Sequence, residues 1–282
     1  MSKDDLKDTV QELYRSAAQT RTHFGEDLDN ACNYYADLVN FVSRVSPLRA
    51  DGKPQSLLDV GCGCGWSSFF LAKAGYRTTG VDLNPSEFEP PPINNLILRE
   101  GSALALPFVD CSFDIVVSYQ CLEHVPQPEA ALKEMIRVCK TNGVISIVGP
   151  NLVTPFLPAK FLFMEMKSRR LSFKRQASTP SHPYGNTFPE HLSKAFWATG
   201  LLSQKLLNRQ FRFSMRVPDS VPPFHGDNDA CYLCNPTDLI RFFRKNRLRV
   251  LRKGRHGRLP ISYLFAGGTW VAAQKCQMLP IS

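Results

Sequence analysis

Apolar positions change their period along the chain in a regular way. Residues 4–20 place Leu6, Val10, Leu13, Tyr14 and Ala17 at helical spacing. Residues 29–45 repeat the pattern with Ala31, Tyr34, Tyr35, Leu38, Phe41, Val42 and Val45, and Pro47 with Asp51-Gly52 closes this second helix. From Ser56 onward short apolar runs alternate with helical stretches. Strands are predicted at Ser56–Val60, Arg77–Asp82, Leu96–Arg99, Phe113–Ser118 and Val144–Val148, with helices at Trp66–Ala74 and Pro128–Lys140. Asn84-Pro85 marks a turn, and Pro90-Pro91-Pro92 forbids a long helix between the second and third strands. Such alternation implies an α/β domain with a parallel sheet and right-handed crossovers.

Beyond Asn151 the alternation loosens. Pro155–Met164 is strongly apolar and is followed by Lys167, Arg169, Arg170, Lys174 and Arg175. A lid over a hydrophobic ligand, a membrane-surface helix and a helix packed on the sheet all suit that composition. Two stretches compete for the helix after the fifth strand, Phe188–Gly200 and Asn235–Arg247. The second is favoured because it feeds a strand at Leu248–Leu251, a turn at Gly254–Gly257 and a last strand at Ser262–Ala273. The chain then divides into an N-terminal helical cap (1–50), a core (51–150), a substrate-binding insert or lid (151–234) and a closing helix with two strands (235–282).

The chemistry concentrates after the first strand. Asp59-Val60-Gly61-Cys62-Gly63-Cys64-Gly65 runs from a buried strand through alternate glycines into a helix. Absent side chains let a ligand approach the backbone, and a helix start offers free N–H groups. A dinucleotide loop requires a third glycine where this chain has Trp66, which weakens a pyrophosphate reading. Asp82 stands 21 positions after Gly61, at the tip of the second strand, where an acid reaches a ribose diol. A mononucleoside ligand suits both features.

Asp59–Gly65, Gly80-Val81-Asp82, Leu106–Asp114 and Leu122-Glu123-His124-Val125 together resemble the class I S-adenosylmethionine-dependent methyltransferases, in their small-molecule branch, over roughly residues 55 to 150. The resemblance implies a Rossmann-like doubly wound sheet of seven strands with an antiparallel last strand, N-terminal helices and a lid insert after strand five. It implies S-adenosylmethionine as cofactor, with Gly61, Cys62, Gly63 and Gly65 under its methionine part. Asp59 would orient the loop or the amino group, and Asp82, beside Leu83, would take the ribose hydroxyls through its acceptor-only carboxylate. The family often has an acid after the glycine ending strand three; this chain has Gly101-Ser102, so adenine would meet a hydroxyl, with Ala103 offering its backbone N–H. Ser118, Tyr119 and Gln120 would line the floor near the reactive methyl group. Leading helices in the family often close over the cofactor, so Tyr14 or Tyr35 either touches it or packs on the sheet.

Methyl transfer can rest on positioning, because the sulfonium is already activated. A base is needed only when the acceptor must lose a proton. His124 is the nearest candidate, as base or as a structural residue; His182, His191 and His225 lie in the insert. The expected reaction is transfer to a small-molecule acceptor at oxygen.

Charge adds one alternative. The net charge is +9, yet Leu239–Ser282 holds ten Lys or Arg and no Asp or Glu. Nine of the 18 positions from Arg241 to Arg258 are basic. RNA methylation, an anionic membrane surface or an acidic partner would use such a segment, as would a plain solvated face. A methyltransferase-like protein that binds without chemistry is the alternative outside enzymes. The nine cysteines show no zinc-finger spacing, so no metal is expected. Without a long apolar run or an apolar leader, a cytoplasmic protein with no transmembrane span is expected.

Overall fold

The computed structural model describes residues 28–83, 90–154, 188–207, 212–216, 230–254 and 268–276, the side chains of 188–192 and 194–195 excepted. The predicted helix at 4–20, with Tyr14, lies outside them, as do Asn84-Pro85, the apolar run from Pro155 with its basic end, His182 and His225.

Helix α1 (Leu28–Val45) buries Ala31, Tyr35, Leu38, Phe41 and Val42, one stripe at helical spacing. Strand β1 (Ser56–Val60) is buried throughout and runs into α2 (Trp66–Lys73). Then come β2 (Arg77–Asp82), β3 (Leu96–Glu100) and β4 (Phe113–Tyr119). A 3-10 turn (Leu122–His124) leads to α3 (Pro128–Val138) and β5 (Cys139–Pro150). Helix α4 (Phe188–Leu207), α5 (Pro236–Lys245), β6 (Leu248–Lys253) and β7 (Gly268–Lys275) complete the order.

The seven strands lie in the order β3-β2-β1-β4-β5-β7-β6. β1 to β5 pair in parallel, and β7 runs antiparallel between β5 and β6. This is the seven-stranded doubly wound sheet with an antiparallel last strand. The order in which strands are added reverses between β1 and β4, so the crevice outside their carboxyl ends is the natural ligand position.

Neighbouring residues in the central strands serve opposite faces. Leu58 and Val116 belong to a cluster with Leu132, Met135, Leu239, Phe242 and Phe243. Leu57, Ile115 and Val117 join one with Leu38, Phe41, Trp66 and Phe69. Burial on both faces explains the continuous apolar runs.

Several boundaries differ from the sequence expectation. α3 stops at Val138 rather than Lys140, and β5 begins at Cys139 rather than Val144. Cys139 pairs with Phe113 across a register shift, and Lys275 Nζ donates to the Ile136 and Cys139 carbonyls at 2.8 and 2.7 Å. Those partners, distant in sequence, end the helix. Both competing segments are helices. The first runs past Gly200 to Leu207, and the second, directly before β6, is capped by Asn235 Oδ1 accepting from Asp238 N at 3.0 Å. The last strand is described from Gly268 and extends two residues beyond Ala273.

Candidate functional site

The turn after β1 is held by β2. Gly61 N and Cys62 N both donate to the Val81 carbonyl, at 2.8 and 3.1 Å, and Gly65 N donates to the Cys62 carbonyl at 3.0 Å. Gly61, Gly63 and Gly65 have φ of 74°, 55° and 95°. At Gly61 a Cβ would strike Cys121 Sγ, so the glycine is required by close approach of the chain after β4. At Gly63 a Cβ would meet nothing within 4 Å. That position therefore has room beside a backbone whose hydrogen bonding is already fixed. α2 begins without a side-chain cap. Its first-turn N–H groups have no intrahelical acceptor.

Asp82 ties the second strand to the loop. Its Oδ2 accepts from Gly63 N and its Oδ1 from Leu83 N, both at 2.8 Å. An ionised carboxylate is acceptor-only, the chemistry that suits a diol. Gly101 N donates to the Asp82 carbonyl at 2.8 Å, which brings Ser102 and Ala103 to the same rim. Ser102 Oγ accepts from Leu104 N at 3.2 Å and retains its proton for donation.

Asp59 lies fully buried below the loop. Its Oδ2 accepts from the Ser67 and Ser68 hydroxyls of α2 at 2.6 and 2.8 Å, whereas Oδ1 has no hydrogen-bond partner among the described residues. Burial pushes its carboxyl up to about 6, against the two hydroxyls and with help from the Asp82 charge. An orphaned acceptor beneath an open loop suits a ligand that carries a donor, best a cationic one.

Cys62 contributes backbone alone. Its thiol is buried against the position a Gly80 side chain would occupy, and burial holds it well above the ordinary thiol range. None of the nine cysteines is in a disulfide.

At the end of β4, Ser118 is buried and Tyr119 half-buried. Gln120 has φ of 50° and donates its N–H to Val148 O at 2.8 Å, turning the chain sharply at the strand tip. Tyr119 packs edge-on with Tyr34 and tilted on Tyr35, with centroids 6.2 and 5.6 Å away. Tyr35 in turn stacks on Phe70 at 5.9 Å. The aromatic side of α1 thus packs on the β4 tip. Trp66, in place of a third loop glycine, is 2% exposed and packs on Phe69 and Phe70.

His124 ends the 3-10 turn with its Nε2 3.9 Å from Glu123 Oε1. Glu123 itself is buried, and its carbonyl accepts from Cys231 N and Tyr232 N, both at 2.9 Å. Sequence reasoning missed this anchor, although an acid between Leu122 and an apolar Val125 was its available signal. It also missed Lys205, whose ammonium sits 2.7 Å from both Asp238 oxygens in a buried pair joining α4 to α5. His191 falls on α4, its side chain outside those described.

Comparison with known proteins agrees with this geometry. Residues 58–147 match the family model described as a methyltransferase domain, the stretch whose motifs carried the resemblance. Norajmaline N-methyltransferase of Rauvolfia serpentina is 34% identical over 106 residues, covering 34% of this chain and 36% of the relative. 2-Methyl-6-phytyl-1,4-hydroquinone methyltransferase of Synechocystis is 37% identical over 103 residues, 34% of this chain and 32% of that protein. The chain thus spans about a third of the length of these curated relatives. Among solved structures, 1,6-didemethyltoxoflavin-N1-methyltransferase of Burkholderia thailandensis superposes with a TM-score of 0.53 at 12% identity, covering 98% of this chain and 92% of that one. At that identity the likeness concerns the fold.

Proposed function

We propose that this chain, whose residues 58–147 match a methyltransferase domain, is a class I S-adenosylmethionine-dependent methyltransferase that acts on a small-molecule acceptor. The observation that carries the reading is the site's preparation for a cationic nucleoside: an open Gly63, a two-oxygen acceptor at Asp82 and a buried Asp59 with one oxygen unused. When bound, S-adenosylmethionine supplies an activated methyl group.

The chain's residues would hold that group rather than react with it. Asp82 would keep the loop closed through Gly63 N and present its acceptor-only carboxylate to the ribose hydroxyls. Asp59 accepts the ammonium, which satisfies its orphaned oxygen and keeps it ionised. Gly101-Ser102-Ala103 borders the adenine, and Ser118 with Tyr119 floors the methyl side. Positioning of this kind lowers the barrier by fixing the donor against the acceptor and excluding water.

We take the acceptor atom to be oxygen, with His124 receiving its proton, supported by the placement of His124 beside Glu123 just past β4. Two of the relatives are named as N-methyltransferases and one as a hydroquinone methyltransferase, so the acceptor screen spans phenols, hydroquinones and amines. The insert 151–234, anchored through Cys231 and Tyr232 on Glu123, supplies the acceptor side in this reading.

Calorimetric titration with S-adenosylmethionine and S-adenosylhomocysteine tests the first step. Wild type binds, and Asp82→Ala weakens binding about a hundredfold or more, as loss of charge-assisted hydrogen bonds requires. Equal affinity in both proteins would refute the assignment. Labelled methyl transfer across the acceptor screen then decides the atom, and loss of oxygen but not nitrogen transfer in His124→Ala would identify the base.

A further inference from the structure

Helix α4 exposes four large apolar side chains among Ser193, Thr199, Gly200, Ser203 and Gln204, and no charged one among its described side chains. Its buried side carries Ala198, Leu202 and Lys205. On the opposite side Phe196 is 71% and Leu207 83% exposed, roughly 16 Å apart along the axis. Trp197 and Leu206 flank them at 54% and 49% exposed. A helix bordering water ordinarily turns charged residues outward.

A cationic stretch adjoins the C-terminal end of this helix. Arg241 Nη2 donates to the Leu206 carbonyl at 3.2 Å, and the Lys205–Asp238 pair locks the two helices together, so the end of α4 adjoins α5. Farther along, Arg244, Lys245, Arg247 and Arg249 are exposed. Asp238, the one acid of α5, is buried in its pair with Lys205, and the sequence from Leu239 to Ser282 holds no acid.

We propose that this composite surface seats the protein on an anionic lipid membrane, the α4 row entering the interface and the α5–β6 cations facing the headgroups. Large apolar side chains beside cations are the composition of interfacial anchoring. Phe196 and Trp197 would suit stacked bases as well as lipid, but Leu206 and Leu207 add aliphatic surface that suits lipid alone. The proposal stands independently of the methyl-transfer reading.

Cosedimentation of the full chain with phosphatidylcholine vesicles, with and without phosphatidylserine, tests it. Binding to the anionic vesicles is expected to exceed neutral binding by about tenfold and to fall in high salt. Phe196→Ser/Trp197→Ser and Arg244→Glu/Lys245→Glu each reduce it by about tenfold or more, with unaltered thermal midpoints. Brominated lipid quenches Trp fluorescence in wild type and loses most of that effect in Trp197→Phe. The proposal is overturned if anionic vesicles are not bound, or if the apolar double variant binds them as wild type does. It is equally overturned if vesicles fail while a single-stranded RNA binds through the same cations.

Discussion

Two aspartates at opposite ends of the central strands show how one residue type serves two ends of a sheet. Asp114, at the amino end of β4, is saturated. Its Oδ2 accepts from Ser56 N, Ser56 Oγ and Lys140 Nζ at 2.9, 2.7 and 3.1 Å, and its Oδ1 from Arg49 Nη2 at 2.8 Å. Burial works to raise its pKa, but the Ser56 bonds and Lys140 outweigh it and the net direction is down. Asp59, at the carboxyl end of β1, is fully buried with two hydroxyls on one oxygen and no partner among the described residues on the other. Its carboxyl rises to about 6. The saturated acid stabilises the fold, and the unsaturated one leaves a demand that the proposed ligand would meet.

The largest effect that would sharpen this contrast is on stability at Asp114. Asp114→Ala leaves Arg49, Lys140 and Ser56 without their shared acceptor and is expected to cost about 2–3 kcal/mol in chemical denaturation. Affinity for S-adenosylhomocysteine per folded molecule should stay unchanged. A loss of ligand affinity comparable to that of Asp82→Ala would erase the distinction between the two ends.

The pH dependences run in opposite senses. Because the Asp114 pKa is lowered on folding, its contribution is present above the unfolded value and lost as pH falls through the folded one. The Asp59 pKa is raised, so its contribution is full below 3.8 and is lost as pH rises through about 6. Between those limits the ligand-free protein should lose on the order of 2–3 kcal/mol from this group, and Asp59→Asn should flatten that part of the profile. Thermal unfolding from pH 4 to 7.5 measures both; an identical slope in the variant would remove Asp59 as its source.

Ligand affinity should respond to the same group. If ionised Asp59 meets an ammonium, affinity for S-adenosylhomocysteine falls by about tenfold per pH unit below 6, near 1.4 kcal/mol each. In Asp59→Asn affinity is lower and flat over that range. The smallest effect on the fold is at Gly63. Gly63→Ala should cost about 1 kcal/mol through its positive φ, because its Cβ meets no protein atom. Ligand binding should suffer more than stability, since that Cβ would enter the space assigned to the proposed ligand; equal losses would place the ligand elsewhere.

The aligned motifs were legible because each is local. β1 and β2 fall on their expected residues, and the glycine loop needs only its own backbone freedom. The helix before the final strands was legible for the same reason, as Asn235, Pro236 and Asp238 spell its start within four residues. The end of α3 was not, because Phe113 and Lys275 decide it from elsewhere in the chain. Nor was the anchoring of Cys231 and Tyr232 on Glu123, or the pairing of Lys205 with Asp238.

The sequence by itself determined the α/β alternation, the glycine loop, the acid at the second strand tip and the basic C-terminal run, since short-range sterics, period and composition carry all four. Tertiary structure alone decided that Asp59 is underpartnered while Asp114 is saturated, that Cys121 closes on Gly61, and that exposed apolar residues of α4 adjoin the cations of α5. The reason is physical: burial, desolvation and charge contact depend on which distant segments meet, and residue order along a chain does not specify those distances.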